Sequence, residues 1–221
     1  QPEVTSLVQS IERQRLSVWS KGIVSREYAA STSAFGYGNR ENSYKTPLGV
    51  HRIKDKIGAS APLGRIFKGR IDSGIDWDHC SEEENLILTR ILRLEGMEVG
   101  INKGHGVDSY DRYIYIHGTN RENLVGAPLS RGCIALKNID VIELVDIVRE
   151  GTLVYIEPPP IIVGGVECRN IHFTGIFGTG MSALAQYLRF QGITVTGSDR
   201  LLASEDTSSI RSSLEALGCG I

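Results

Sequence analysis

Apolar and polar residues alternate between glycine turns from residue 14 to 53, as in Leu16-Ser17-Val18-Trp19 and Gly22-Ile23-Val24. That period of two is the spacing of half-buried strands. Ala34–Asn39 and Ser43–Gly49 interrupt it as loops, and Thr46-Pro47-Leu48-Gly49 is turn chemistry. A structural turn explains that tetrapeptide at least as well as a ligand contact does. Residues 1–12 read as a short helical lead-in. Across 81–93 the acidic residues come early and the arginines late, as a helix dipole prefers. A strand through Leu86–Leu94 is equally consistent with the β-branched content. The acidic residues 82–84 read as a solvated face.

Tyr113-Ile114-Tyr115-Ile116 is an aromatic and β-branched run whose strand would deliver His117 at its end. Lys103–Val107 is a flexible loop before it, and the lone His105 there reads as simply exposed. Asn138 is placed to cap a helix over 139–149, with Val141, Leu144, Val145 and Val148 on one face. Gly151 would end it and 152–156 return as a strand. Pro158-Pro159-Pro160 then denies both helix and ladder hydrogen bonds, which puts a domain boundary there. The expected division is 1–157, a linker and lead-in over 158–169, and 170–221. In the last segment a strand, a glycine-rich turn, a helix and a second strand follow in order.

Composition adds exclusions. The 221 residues carry 41% hydrophobic and 23% charged residues, ordinary for a globular protein. With 24 basic and 26 acidic residues, a net charge of −2 and no basic stripe, nothing points to nucleic acid. The cysteines at 80, 133, 168 and 219 are irregularly spaced, which argues against a zinc site or a disulfide framework. The adjacent His79 and Cys80 read as structural. No metal and no cofactor are expected. No signal peptide is visible, the glutamine at position 1 suggests a chain that begins inside a longer product, and 171–188 is too rich in glycine for a membrane span.

The candidate chemistry lies in His117-Gly118-Thr119 and Ser130-Arg131-Gly132-Cys133, the imidazole and thiol sixteen residues apart. Thiolate is the reactive form of cysteine, and a neighbouring imidazole is the usual means of generating it. Gly118 and Gly132 each flank a candidate catalytic residue, where a bare backbone permits close approach. By themselves, one histidine and one cysteine are more often a buried small residue and a bystander.

The whole string says more. It resembles the signature of the L,D-transpeptidase (YkuD-type) family, from Ser43–Ile53 and Lys56–Gly58 through His117–Asn120 and Ser130–Ile134 to Asn138, Asp140 and Glu143. The resemblance covers about residues 13 to 157. It implies a mainly β (α+β) catalytic domain acting on peptidoglycan stem peptides, and reaction with carbapenems. It makes Cys133 the nucleophile, which forms a thioester with release of D-Ala, and His117 the base. It assigns Gly118 the orientation of the ring through its carbonyl. Backbone N–H groups around Arg131, Gly132 and Cys133 would form the oxyanion site, and Tyr115, Thr119, Ser130 and Arg131 would line the substrate. An L,D-carboxypeptidase or peptidoglycan hydrolase would use the same pair with water. A wall-binding module without catalysis is the reading of another class.

Two positions depart from the family string. Arg131 stands where histidine is common; it cannot move protons, although it can lower the thiol pKa or bind a carboxylate. Ala135 stands where many members carry arginine or asparagine.

The C-terminal segment, Asn170–Thr174, Gly175–Ala185 and Ile193–Asp199, resembles the start of a Mur ligase of the UDP-N-acetylmuramate–alanine type, a partial α/β Rossmann-like element. The resemblance implies a UDP-sugar held by Gly178, Gly180, Met181 and Ser182, with Asp199 after the second strand. Phe177 replaces a common glycine, and no lysine-bearing phosphate loop is present. The first part implies the periplasm or cell envelope, and the second the cytoplasm.

Overall fold

The computed structural model describes residues 6–78, 85–163, 166–190, 193–201, 204 and 207–221. The chain divides into two compact units, 1–157 and 158–221.

The first unit is built on a sheet. Its strands are β1 (Ser6–Ser10), β2 (Arg15–Ser20), β3 (Ile23–Ala29), β4 (Gly49–Ile57), β5 (Arg65–Lys68), β6 (Ile71–Asp76), β7 (Ile87–Gly96), β8 (Tyr115–Gly118), β9 (Ile134–Leu136) and β10 (Leu153–Glu157). The order is β3-β2-β1-β10-β4-β7-β5-β6, with β8 also on β7 and β9 on β8. Only β1–β10 and β8–β9 pair in parallel among these described strands. Leu7, Leu16, Ile53, Leu92, Leu94, Ile116, Leu136 and Ile156 are fully buried in one core, so the alternating runs spend their apolar faces there.

Two sequence expectations change, and one open choice is decided. Within 1–12, residues 6–10 form a strand rather than a helix, because Leu7 reaches the core between β2 and β10, a partner almost the full unit away in sequence. Ile87–Gly96 is a strand, the alternative that the β-branched content left open; residues 79–84, with His79, Cys80 and the acidic run, lie outside the described residues. The helix α1 runs Asn138–Ile147, with Lys137 at its N-cap position and no side-chain cap. Asn138 instead turns inward. Its amide donates to the Thr119 carbonyl at 2.9 Å and to Glu122 at 2.8 Å, and its oxygen accepts from the Thr89 hydroxyl at 2.6 Å. Val141, Leu144, Val145 and Val148 do face the core, and the Lys56 ammonium closes the helix on the carbonyls of Val145 and Val148 at 2.7 and 2.6 Å.

In the second unit β11 (Ile161–Val163) and β12 (Val166–Cys168) form an antiparallel pair where a linker was expected. Strands β13 (Asn170–Thr174) and β14 (Thr194–Ser198) are parallel, with α2 (Thr179–Phe190) between them in sequence and α3 (Ser208–Ala216) after. A parallel pair needs such a crossover. Phe173, Ile176, Ala185, Leu188, Val195 and Leu214 form its core. Among the described residues no helix is long and apolar enough to cross a membrane.

Candidate active site

His117 lies inside β8, one position before its end, not beyond it. Its register partners are Ile91 on β7 and Ala135 on β9. The β7 ladder shifts between Leu88 and Ile91, opposite Gly118 and His117, and Thr89 within that bulge has φ 70°. A β-branched residue there is strained. Its hydroxyl is held on both sides, accepting from Gly64 N–H at 3.0 Å and donating to Asn138. The bulge re-aims the strand beside the imidazole.

Cys133 immediately precedes β9. Because Ala135 pairs with His117, alternation puts Cys133 on the same face, diagonal to the histidine and beside Tyr115. Cys133 packs with Ala61, Phe67, Ile91 and Tyr115, while remaining partly exposed. Its S–H donates to the Tyr113 carbonyl at 3.5 Å. Gly132 turns the chain at φ 120°; a Cβ there would meet Ile114 Cδ1 at 3.2 Å and the Lys45 carbonyl at 3.4 Å, so glycine is required.

His117 Nδ1–H donates to the Gly118 carbonyl at 2.8 Å. A carbonyl only accepts, so the proton is on Nδ1, and Nε2 is the ring's acceptor. Burial holds the ring well below the usual histidine value, down to about 4, against the opposing pull of that carbonyl. Burial pushes the Cys133 thiol up to about 11, opposed by the Tyr115 backbone and by the Arg112 charge. Both partners are therefore neutral near pH 7.

Arg112 had no motif to reveal it; its one sequence signal is a place five residues before His117. Its guanidinium donates to the carbonyls of Gly38, Asn39 and Lys45 at 3.3, 2.9 and 2.6 Å, which fastens the 38–45 loop beside the cysteine turn. The cation acting on the thiol is thus Arg112, whereas Arg131 is exposed. The electrostatic part that the sequence allowed Arg131 falls to Arg112.

Other expected contacts are spent internally. The Ser130 hydroxyl donates to the Cys133 carbonyl at 2.5 Å and accepts from Gly132 N–H at 3.2 Å, so it closes the turn and takes up one of the three amides expected to form an oxyanion site. Thr119 is fully buried; its hydroxyl donates to Asn85 at 3.0 Å and accepts from Arg121 N–H at 3.2 Å. Neither hydroxyl faces an open surface. The buried Tyr115 phenol accepts from Arg70 at 3.1 Å. Ala135 is completely buried beside the imidazole and leaves that side apolar. His105 is exposed.

Residues 5–156 match the family described as the L,D-transpeptidase catalytic domain, YkuD. The chain belongs to that family. Residues 170–207 match the Mur ligase family, catalytic domain. A putative L,D-transpeptidase YkuD of Bacillus licheniformis is 54% identical over 43 residues, 20% of this chain and 26% of that protein. A UDP-N-acetylmuramate–L-alanine ligase of Helicobacter pylori is 46% identical over 44 residues, 20% of this chain and 10% of that protein. This L,D-transpeptidase family member therefore spans about a quarter of one relative and a tenth of the other. Among solved structures, the catalytic domain of the E. faecium L,D-transpeptidase acylated by ertapenem shares 19% identity, with a TM-score of 0.43, over 71% of this chain and 98% of that one.

In the second unit a cleft of about 780 Å³ opens at the glycine turn, lined by Gly175, Phe177, Gly178, Asp199 and Arg200 among others. Asp199 accepts N–H bonds from Leu201 and Phe177, both at 2.9 Å, which hold its carboxyl below the usual range. Gly178 and Asp199 line the cleft; Gly180, Met181 and Ser182 do not, and the Ser182 hydroxyl donates to the Thr179 carbonyl at 3.2 Å.

Proposed function

We propose that the first unit is a cysteine peptidoglycan L,D-transpeptidase. The observation that carries this reading is the committed Nδ1–H of His117, which leaves Nε2 as a base on the face shared with the partly exposed Cys133. The S–H proton passes to Nε2 as sulfur attacks the carbonyl of the stem peptide's third residue. The backbone amides of Arg131 and Cys133, the two in that turn that Ser130 does not occupy, stabilise the oxyanion. The C–N bond to D-Ala then breaks, and its nitrogen takes the proton from the imidazolium, leaving the thioester. An acceptor amine attacks the thioester, gives its proton to Nε2, and the C–S bond breaks to a thiolate that recovers the proton. Water in place of the amine gives a carboxypeptidase.

The substrate implies action at the cell envelope. For the second unit, the cleft at Gly178 and Asp199 supports a weakly held nucleotide-sugar. Incubating the whole chain with tetrapeptide muropeptides, followed by mass analysis, is expected to give cross-linked dimers. Tripeptide release alone would favour hydrolysis, and no product from folded protein would refute catalysis.

A further inference from the structure

We propose that Arg70 reads a carboxylate on the acyl donor, a role that rests on the transpeptidase reading above. The β5–β6 hairpin pairs Lys68 with Ile71 and closes through Gly69-Arg70 alone. Both loop residues are left-handed, at φ 55° and 71°. Two-residue hairpin loops of this kind favour asparagine and glycine, so an arginine at the second position is held against its backbone preference.

Its side chain accounts for the choice. The guanidinium lies 4.7 Å from the centre of the Tyr113 ring and donates to the Tyr115 hydroxyl at 3.1 Å. Those tyrosines border the nucleophile: the Tyr113 carbonyl accepts the Cys133 S–H, and Tyr115 packs beside the sulfur. The groups acting on Arg70 are the phenols of Tyr115, Tyr113 and Tyr110, and among the described residues no carboxylate pairs with it. Arg65 on the same hairpin is different, since Asp76 and Asp72 take its donors at 2.6 and 2.8 Å. Arg93, which stacks on Tyr110, has Asp55 at 3.9 Å. Arg70 alone of these three presents an unneutralised planar fork, and it lies on the two tyrosines that border the reacting thiol. A guanidinium fork matches a carboxylate with two parallel hydrogen bonds. A stem-peptide donor offers two such groups near its scissile bond, the terminal carboxylate of D-Ala and, where the third residue carries one, a side-chain carboxylate.

The test uses the whole chain and three tetrapeptide donors: one with both carboxylates free, one with the side-chain carboxylate as its amide, and one with the terminal carboxylate as its amide. Arg70→Asn should raise KM about tenfold for donors bearing the carboxylate that is read, with kcat within about twofold, and have no effect on the donor lacking it. The unaffected donor identifies the source. Arg70→Lys should recover part of the loss. Because asparagine suits the left-handed position, Arg70→Asn should also raise Tm by a few degrees. An equal KM change on all three donors, or none on any, would overturn the proposal. Wild-type protein that is folded yet turns over none of the three would overturn the transpeptidase reading itself.

Discussion

The molecule contains the same histidine arrangement twice. His51 on β4 donates Nδ1–H to the Gly49 carbonyl at 3.0 Å, and its Nε2 accepts from the Ser109 hydroxyl at 2.9 Å. His117 donates Nδ1–H to the Gly118 carbonyl, and the β8–β9 register puts Cys133 on its face of the sheet. Burial lowers both rings to about 4. Yet Ser109 is fully buried, while Cys133 is partly exposed. A carbonyl-oriented imidazole beside a nucleophile is thus not by itself an active site. What separates the pairs is access, and a thiol where the other has a hydroxyl that is far harder to ionise. The His51 pair has a structural use: it joins the start of β4 to the loop that carries Arg112 and Tyr113.

Removing the thiol gives the largest contrast. Cys133→Ser should abolish acylation, read as loss of the single carbapenem adduct by mass spectrometry, while circular dichroism stays unchanged. An adduct on that variant would mean that the nucleophile lies elsewhere.

Next in size is the cation. Arg112→Gln should slow alkylation of Cys133 by iodoacetamide about tenfold at pH 8, since the thiolate loses its nearby positive charge and the 38–45 loop loses its clamp. Arg131→Gln should leave that rate within about twofold, because Arg131 is exposed. The reverse order would restore the electrostatic part to Arg131.

Ser109→Ala should leave the alkylation rate unchanged and lower unfolding free energy by about 1–3 kcal/mol in urea titrations, the cost of an unsatisfied buried nitrogen. A large fall in thiol reactivity with stability intact would make the second pair functional after all.

Both histidines also make a joint pH prediction. Their folded pKa values lie below the unfolded value near 6.5, so between pH 6.5 and 4 the unfolded chain binds protons that the folded chain refuses. Stability should therefore fall as pH drops through that window, by about 3 kcal/mol per histidine at most. His51→Phe should flatten the slope, measured as Tm against pH; an unchanged slope would mean that His51 titrates normally.

The sequence made the mainly β class, the helix after β9 and the strand that carries His117 legible, since each has a short-range signature. It hid whatever depends on distant pairing. Leu7 needs β10 to become strand, Asn138 needs Thr89 and Thr119 to stop being a cap, and Thr119 and Ser130 looked like substrate contacts until their internal partners were known. Arg112 earns its place through three carbonyls of a loop some seventy residues earlier, and no local pattern encodes that.

The central claim is that the resting pair is a neutral thiol and a neutral imidazole, with the proton moved during chemistry. The pH dependence of kcat/KM for a tetrapeptide donor tests it most directly. The account predicts a plateau from about pH 5 to 9, with the acid limb descending toward the His117 value of about 4. A rate that climbs tenfold per unit through pH 6 to 8 would show an ordinary histidine or a thiolate-forming step in that range, and would contradict it.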